Sequence, residues 1–371
     1  MDIYKKYSIE ELLCYCALIM LFITKVMGEL AVSDTLKLIM ATACLMLAIK
    51  LTCMKWTGTE LVIAIYLNLL GILIWIFSGR YNILVTILVI TSLKDIEIKR
   101  VLKVCFWSAA SFFAVHMILI LLGVLASELS YSLDEGIRKR YGLGYLHPNP
   151  AHSVVVGIIF LALIAYKEKL KTCHYILLVA FNLIIYHFTD SRTGMLLACL
   201  GIIGAYIVHL ISKFKLEKYV DVIVQNKIIK FLISNIFILM AVLSVVACIM
   251  YAEYGIFNNL GTLSSRFLTA SRVIENNAIT LFGQRNIETD LGYIYILYRY
   301  GIVFWSIGLI AYSILLRRMI ESKLYTECIM ILCFAAYSMV ENFTGSILAN
   351  ITLIFMSFLI YPNNLAMYIK K

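Results

Sequence analysis

Charge is what this sequence has least of. Asp, Glu, Lys and Arg make up 15% of its residues, against 62% apolar ones. That excludes a soluble globular domain, in which about a quarter of residues are charged, and leaves a chain that crosses a membrane many times. Proline is scarcer still: three in 371 residues, two of them Pro148 and Pro150. Metal and disulfide signatures are missing. Of ten cysteines, all but Cys173 lie in apolar runs, with no CxxC pair and no Cys/His cluster, so they read as small packing residues. No DxD motif occurs, so no paired-aspartate metal site is evident. No small-residue cleavage site follows Lys5 and Lys6, so the first apolar run reads as a retained span. Nothing in the basic residues supports nucleic-acid binding.

What is present is apolar runs. A span needs about 20 such residues, and twelve segments qualify: roughly 9–27, 36–54, 60–78, 80–93, 104–127, 150–166, 174–189, 193–212, 229–252, 290–315, 323–341 and 343–361. The fourth is short, yet the positive-inside rule requires it. With the N-terminus inside, alternate loops collect eighteen lysines and three arginines; deleting span four would break that alternation for every later loop. The expectation is an all-α polytopic membrane protein of about twelve helices, with both termini cytoplasmic.

The opposite face then carries seven arginines and one lysine: Arg80, Arg138, Lys139, Arg140, Arg192, Arg266, Arg272 and Arg285. Topology signals do not distinguish the two residue types. Phosphate chemistry does, because the guanidinium fork binds phosphate with two parallel hydrogen bonds and stays charged. Helix anchoring at headgroups is the alternative. Arg138 to His152, RKRYGLGYLHPNPAH, gathers three basic residues, two of six histidines and two prolines amid apolar helices. Such a segment needs protein or water around it.

Two external loops are long. The first, 128–149, begins acidic at Glu128, Asp134 and Glu135 and turns basic at Arg138. The second, 253–289, predicts a short amphipathic helix capped by Ser264 or Ser265, with Phe267, Ala270 and Ile274 on its apolar face and Arg266 and Arg272 flanking it. That helix is expected along the membrane surface. Glu288 and Asp290 precede span ten, whose Tyr293, Tyr295, Tyr298 and Tyr300 suit an interface belt or sugar stacking. Glu341, buried between the last two spans, needs a cationic partner, and an external arginine is the obvious one. Arg299, inside span ten, either lines the floor of a site or forms a structural pair.

In order, RKRYGLGYLHPNP before a span, SRTG opening a later one, SSRFLTASR in the large loop and DLGYIYILYRYG at span ten resemble the Wzy-type oligosaccharide repeat-unit polymerases and the related O-antigen ligases. The similarity covers about residues 130–305. It implies a GT-C-like bundle acting on the outer face of the bacterial plasma membrane. It also implies polyprenyl-pyrophosphate-linked oligosaccharides as substrates, and a flippase and a chain-length regulator as partner proteins. The ligases carry a histidine in or just after the large loop. Here no histidine follows His209, and Asp290 or Tyr293 stands in its place, which favours a polymerase.

The chemistry points the same way. Breaking a glycosyl–pyrophosphate bond requires stabilising the leaving group's charge, and without an acidic metal cluster arginines must do it. Arg138, Arg140, Arg192, Arg266 and Arg272 are the candidates, with no cofactor required. An acceptor hydroxyl needs a base, for which His147, Glu341, Asp290 and Glu253 compete; His152 either joins the site or caps span six. A ligase, or a lipid-linked oligosaccharide flippase or other transporter, is the competing reading. A transporter would be expected to show an internal repeat and cations within its spans. The sequence has no evident repeat, and its outward cations concentrate in loops.

Overall fold

A computed structural model describes residues 8–27, 34–125, 129–132, 138–257 and 261–370. Lys5, Lys6, Glu128, Asp134, Glu135 and Lys371 lie outside the described residues. The protein is a helical membrane bundle. Its helices are α1 Ile9–Met27, α2 Asp34–Cys53, α3 Gly58–Ser78, α4 Asn82–Ser92, α5 Ile98–Leu121, α6 Pro148–Ala165, α7 Thr172–Thr189, α8 Arg192–Lys213, α9 Glu217–Val224, α10 Lys227–Ser234, α11 Ile236–Tyr254, α12 Thr262–Asn276, α13 Gly292–Glu321, α14 Tyr325–Tyr337, α15 Ser357–Ile360 and α16 Pro362–Ile369. Among the described residues, eight (α2, α3, α5, α6, α7, α8, α11 and α13) are long and apolar enough to cross a membrane, or nine if the bent pair 351–360 and 362–369 counts as one.

The other expected spans depart from a plain crossing for identifiable reasons. Helix α1 has the length but carries Glu10, Glu11 and Lys25. The expected run 229–252 divides at Asn235, whose side-chain amide donates to the Phe231 carbonyl, so the long helix begins only at Ile236. The expected last span, 343–361, is not a continuous helix. It consists of two 3₁₀ turns, Phe343–Gly345 and Ile351–Met356, followed by α15, and the chain bends by 116° into α16 at Pro362.

That broken segment and the short α4 explain each other. Non-helical backbone at membrane depth must be satisfied by protein. Thr86 of α4 donates to the Gly345 carbonyl and accepts from the Ile347 amide, while Asn350 donates to Tyr312 Oη and the Thr344 carbonyl, each at 3.0 Å. Helix α4 has 11 residues, about 16 Å of helical rise, and ends inside protein, where its last carbonyls would be orphaned. They are not. Tyr361 Oη reaches Thr91 O at 2.7 Å, Asn364 Nδ2 reaches Leu93 O at 2.7 Å, and the buried Lys50 ammonium donates to Ser92 O and Lys94 O.

Helix α6 is the axis of the bundle. Of its best 18-residue window 78% is buried, against 44% or less in every other candidate span, and α5, α7, α8 and α14 surround it. Helix α13 breaks at Gly301, whose φ of 86° and ψ of 162° lie outside the helical region and suit glycine alone. The amides freed by the break, Ile302 and Val303, donate to Thr280 O and Leu281 O of the preceding loop at 3.0 and 3.3 Å. The all-helical expectation omitted one feature. Leu129–Ser132 (β1) and Arg138–Tyr141 (β2) form an antiparallel hairpin that pairs Tyr131 with Lys139 and Ser130 with Arg140.

Candidate functional site

Where β2 runs into α6, side chains from five separate segments meet. Arg140, near the end of strand β2, donates from Nε to the Thr189 carbonyl at 3.1 Å and from Nη2 to Asn149 Oδ1 at 2.8 Å. The Asn149 amide in turn donates from Nδ2 to Glu341 Oε1 at 3.2 Å. The same carboxylate oxygen accepts from Arg266 Nη2 at 3.0 Å, and Arg266 Nε lies 3.7 Å from Asp290 Oδ2. One polar chain, Arg140–Asn149–Glu341–Arg266–Asp290, thus links the hairpin, the start of α6, the turn after α14, α12 and the entry to α13.

Burial separates the two carboxylates. The Glu341 side chain is 8% exposed and that of Asp290 55%. Burial raises the Glu341 carboxyl above its ordinary range, opposed by the charge and hydrogen bond of Arg266. Glu341 is therefore occupied in holding Arg266 and Asn149, whereas Asp290 is open to solvent. Arg266 is 14% exposed on its side chain, and its buried Nη1 donates to no group among the described residues.

His147 is the N-cap of α6. Pro148 has no N–H, so the Asn149 amide is the first donor of the helix, and His147 Nδ1 accepts it at 3.2 Å. With Nδ1 accepting, the proton of the neutral ring sits on Nε2, and the ring presents a donor. Partial burial and the nearby Arg140 hold His147 below the usual imidazole value, with Asp290 opposing. To take a proton through Nδ1, the ring would have to release its cap.

His152, the alternative cap, lies one turn deeper. It is fully buried, with Nδ1 2.9 Å from Thr189 Oγ1 and Nε2 2.9 Å from Asn182 Oδ1. A β-carbon at Gly194 would sit 2.7 Å from its ring, so α8 approaches α6 there only because residue 194 is glycine. This packing places Arg192 at the first position of α8, three residues after the Thr189 carbonyl that Arg140 holds.

The remaining candidates stand apart from this chain. Arg272 lies exposed on α12, with no hydrogen bond or ion pair from its side chain among the described residues. Only the backbone of Arg138 is described, paired with Ser132. Glu253 is exposed at the end of α11. Arg299 is 7% exposed, and its guanidinium forms no ion pair among the described residues, so the structural-pair reading has no partner there. Tyr293, Tyr298 and Tyr300 are core residues and not a belt; Tyr293 Oη donates to Ala335 O at 2.9 Å. Helix α12 starts at Thr262, and Ser264 does not cap it but ties back to Phe257 O at 2.6 Å. Ala270 and Val273 of α12 pack with Cys248, Leu291 and Ile294, so protein, contributed by α11 and α13, covers that apolar face.

Asn149 is the member that sequence reading passed over. Asparagine between two prolines signals a turn, and nothing local shows that its amide spans an arginine and a carboxylate. An apolar cavity of about 340 Å³ lies between α3, α4, α11, α13 and the broken segment. Its wall includes Tyr293 and Ser338, each three residues from a carboxylate of the chain, along with Phe237, Trp305 and Leu353. Among the described residues no three His, Cys, Asp or Glu side chains are grouped to hold a metal ion. No protein-family model, curated protein or solved structure matches this chain.

Proposed function

We propose that the protein is a membrane glycosyltransferase of the repeat-unit polymerase type. In this reading it moves a growing glycan from its polyprenyl-pyrophosphate carrier onto the next lipid-linked oligosaccharide, at the outer face of the plasma membrane. The observation that carries it is Arg266, fixed by Glu341 yet with Nη1 uncommitted, in the same polar chain as Arg140, while Tyr293 and Ser338, three residues from Asp290 and Glu341, line an apolar cavity. A pyrophosphate needs guanidinium forks, and a prenyl chain needs apolar room.

The acceptor sugar hydroxyl attacks the anomeric carbon as the bond from that carbon to the pyrophosphate oxygen breaks. Charge gathers on the departing pyrophosphate, where Arg266, Arg140 and Arg192 offset it. The hydroxyl proton passes to Asp290, the solvent-open carboxylate 3.7 Å from Arg266. His147 Nε2–H donates to substrate oxygen, and Glu341 positions Arg266. The same proposal has twelve crossings, counting α1, α4, α14 and the bent segment, with both termini cytoplasmic. A flippase and a chain-length regulator would act before and beside it.

The test is the lipid-linked glycan profile of cells lacking the gene, complemented with wild type or with Arg266→Ala. Single repeat units accumulating outside, with polymer lost in both the null and the variant, is the expected result. Polymer retained on its carrier would mean a ligase, units trapped inside a flippase, and an unchanged profile would overturn the transferase reading.

A further inference from the structure

A second cationic feature lies at the ends of α6 and α7 opposite to those that hold the Arg140 site. Lys99 and Lys103 of α5 and Lys167 and Lys169 after α6 line a small pocket of about 50 Å³ together with Tyr166 and Glu168. Two of these lysines are paired. Lys99 Nζ lies 3.2 Å from Glu168, and Lys167 Nζ lies 2.6 Å from Glu327, whose carboxylate also accepts from Tyr368 Oη at 2.6 Å. Glu327 is fully buried, so that pair is fixed in place. Lys103 and Lys169 are exposed and have no ion-pair partner among the described residues. The pocket therefore keeps a surplus of two positive charges.

An apolar groove of about 420 Å³ adjoins it, sharing Tyr166 and Lys169 with the lysine pocket and continuing along Phe106, Leu177 and Phe181. Its apolar wall opens outward at Leu177, 64% exposed, and the neighbouring Trp107 is 60% exposed. In a membrane-spanning bundle that surface meets lipid. Trp107 Nε1 donates to Tyr166 Oη at 2.7 Å, an aromatic pair of the kind that marks the headgroup level.

Cationic head and apolar tail are thus side by side. We propose that this is a binding site for an anionic glycerophospholipid, with its phosphate between Lys103 and Lys169 and an acyl chain along Phe106, Leu177 and Phe181. A soluble anion would need only the lysines, and a zwitterionic lipid only the groove. The two together select a lipid of net negative charge. The site is independent of the transferase reading, because none of its residues touches the arginine chain.

The test is native mass spectrometry of the full chain in detergent, titrated with phosphatidylglycerol, phosphatidylcholine or glycerol phosphate. Phosphatidylglycerol is expected to stay bound where the other two do not. In Lys103→Gln/Lys169→Gln its affinity falls roughly 30-fold. Lys103→Arg/Lys169→Arg retains binding, which separates charge loss from misfolding. Leu177→Gln, at an exposed groove position, also weakens phosphatidylglycerol. Equal binding of phosphatidylcholine would overturn the proposal, as would glycerol phosphate matching the lipid. So would an equal loss in Lys213→Gln/Lys215→Gln, a charge-matched pair at the end of α8, because the attraction would then be diffuse.

Discussion

Arg266 Nη2 donates to Glu341 Oε1 across 3.0 Å and so ties α12 to the turn after α14, 75 residues away in sequence. Both side chains are largely buried, at 14% and 8% exposure. Removing one partner of such a pair strands the other charge, at a cost of about 3–5 kcal/mol, whereas replacing both by apolar residues is often near neutral. Glu341→Ala is therefore expected to destabilise the protein by about 3 kcal/mol in thermal unfolding in detergent. Arg266→Met/Glu341→Met recovers most of that stability while abolishing polymer formation. A double variant as unstable as the sum of the singles would contradict this pairing.

Asn149 offers a way to separate positioning from charge. Asn149→Ala removes the acceptor of Arg140 and a donor to Glu341 and leaves every arginine in place. The stability loss should be modest, about 1–2 kcal/mol, but polymer should be replaced by single lipid-linked units, because Arg140 and Glu341 each lose one of the bonds that position them. Arg192→Lys and Arg266→Lys provide the complementary case. Charge remains, the planar fork is lost, and activity is expected to vanish with membrane insertion intact. Full activity in both would remove the pyrophosphate-clamp argument.

His147 gives the site a pH signature. Its folded value is depressed by partial burial and Arg140, so above the ordinary imidazole value of about 6.5 the ring is neutral whether folded or unfolded. As pH falls below that value, the unfolded chain takes up the proton first. Stability contributed by the neutral ring then declines until the depressed folded value is passed. Midpoints of thermal unfolding measured from pH 7.5 down to 5 should fall more steeply in the wild type than in His147→Gln. Parallel curves would show that the ring does not titrate in this environment.

The membrane class and the eight long helices were legible because apolar runs of about 20 residues have few other uses. The helix carrying Arg266 was legible too, since Phe267, Ala270 and Ile274 follow helical spacing. What covers it was not, because an apolar stripe fits a membrane surface as well as α11 and α13. The last apolar run read as one span, although Asn350 and Pro362 break it. Hydropathy counts side chains, whereas the break is settled by backbone partners on α4, some 260 residues earlier in the chain. Glu341's need for a cation followed from its burial, and Arg266 answers it. Asn149 stayed hidden because its two partners come together only in the fold.

The kink in α13 carries the final prediction. Gly301 sits at φ 86°, a conformation costly for any residue with a β-carbon, and such an atom would lie 2.4 Å from the Gly283 amide nitrogen and the Leu281 carbonyl. Gly283 faces the same constraint from the other side, with a would-be β-carbon 2.1 Å from Arg299 O. The loop before α13 can therefore deliver its Thr280 and Leu281 carbonyls to the broken helix only while both residues are glycine. Gly301→Ala pushes the loop away and strands the Ile302 and Val303 amides, each worth about 1–3 kcal/mol if buried without a partner. Because Asp290 lies between that loop and α13, the variant should lose both thermal stability and polymer formation. Gly157→Ala, in α6 with open space around it and outside the apolar cavity, should lose neither. If Gly301→Ala kept its wild-type unfolding midpoint, the kink would not depend on glycine and the loop could be held by other means.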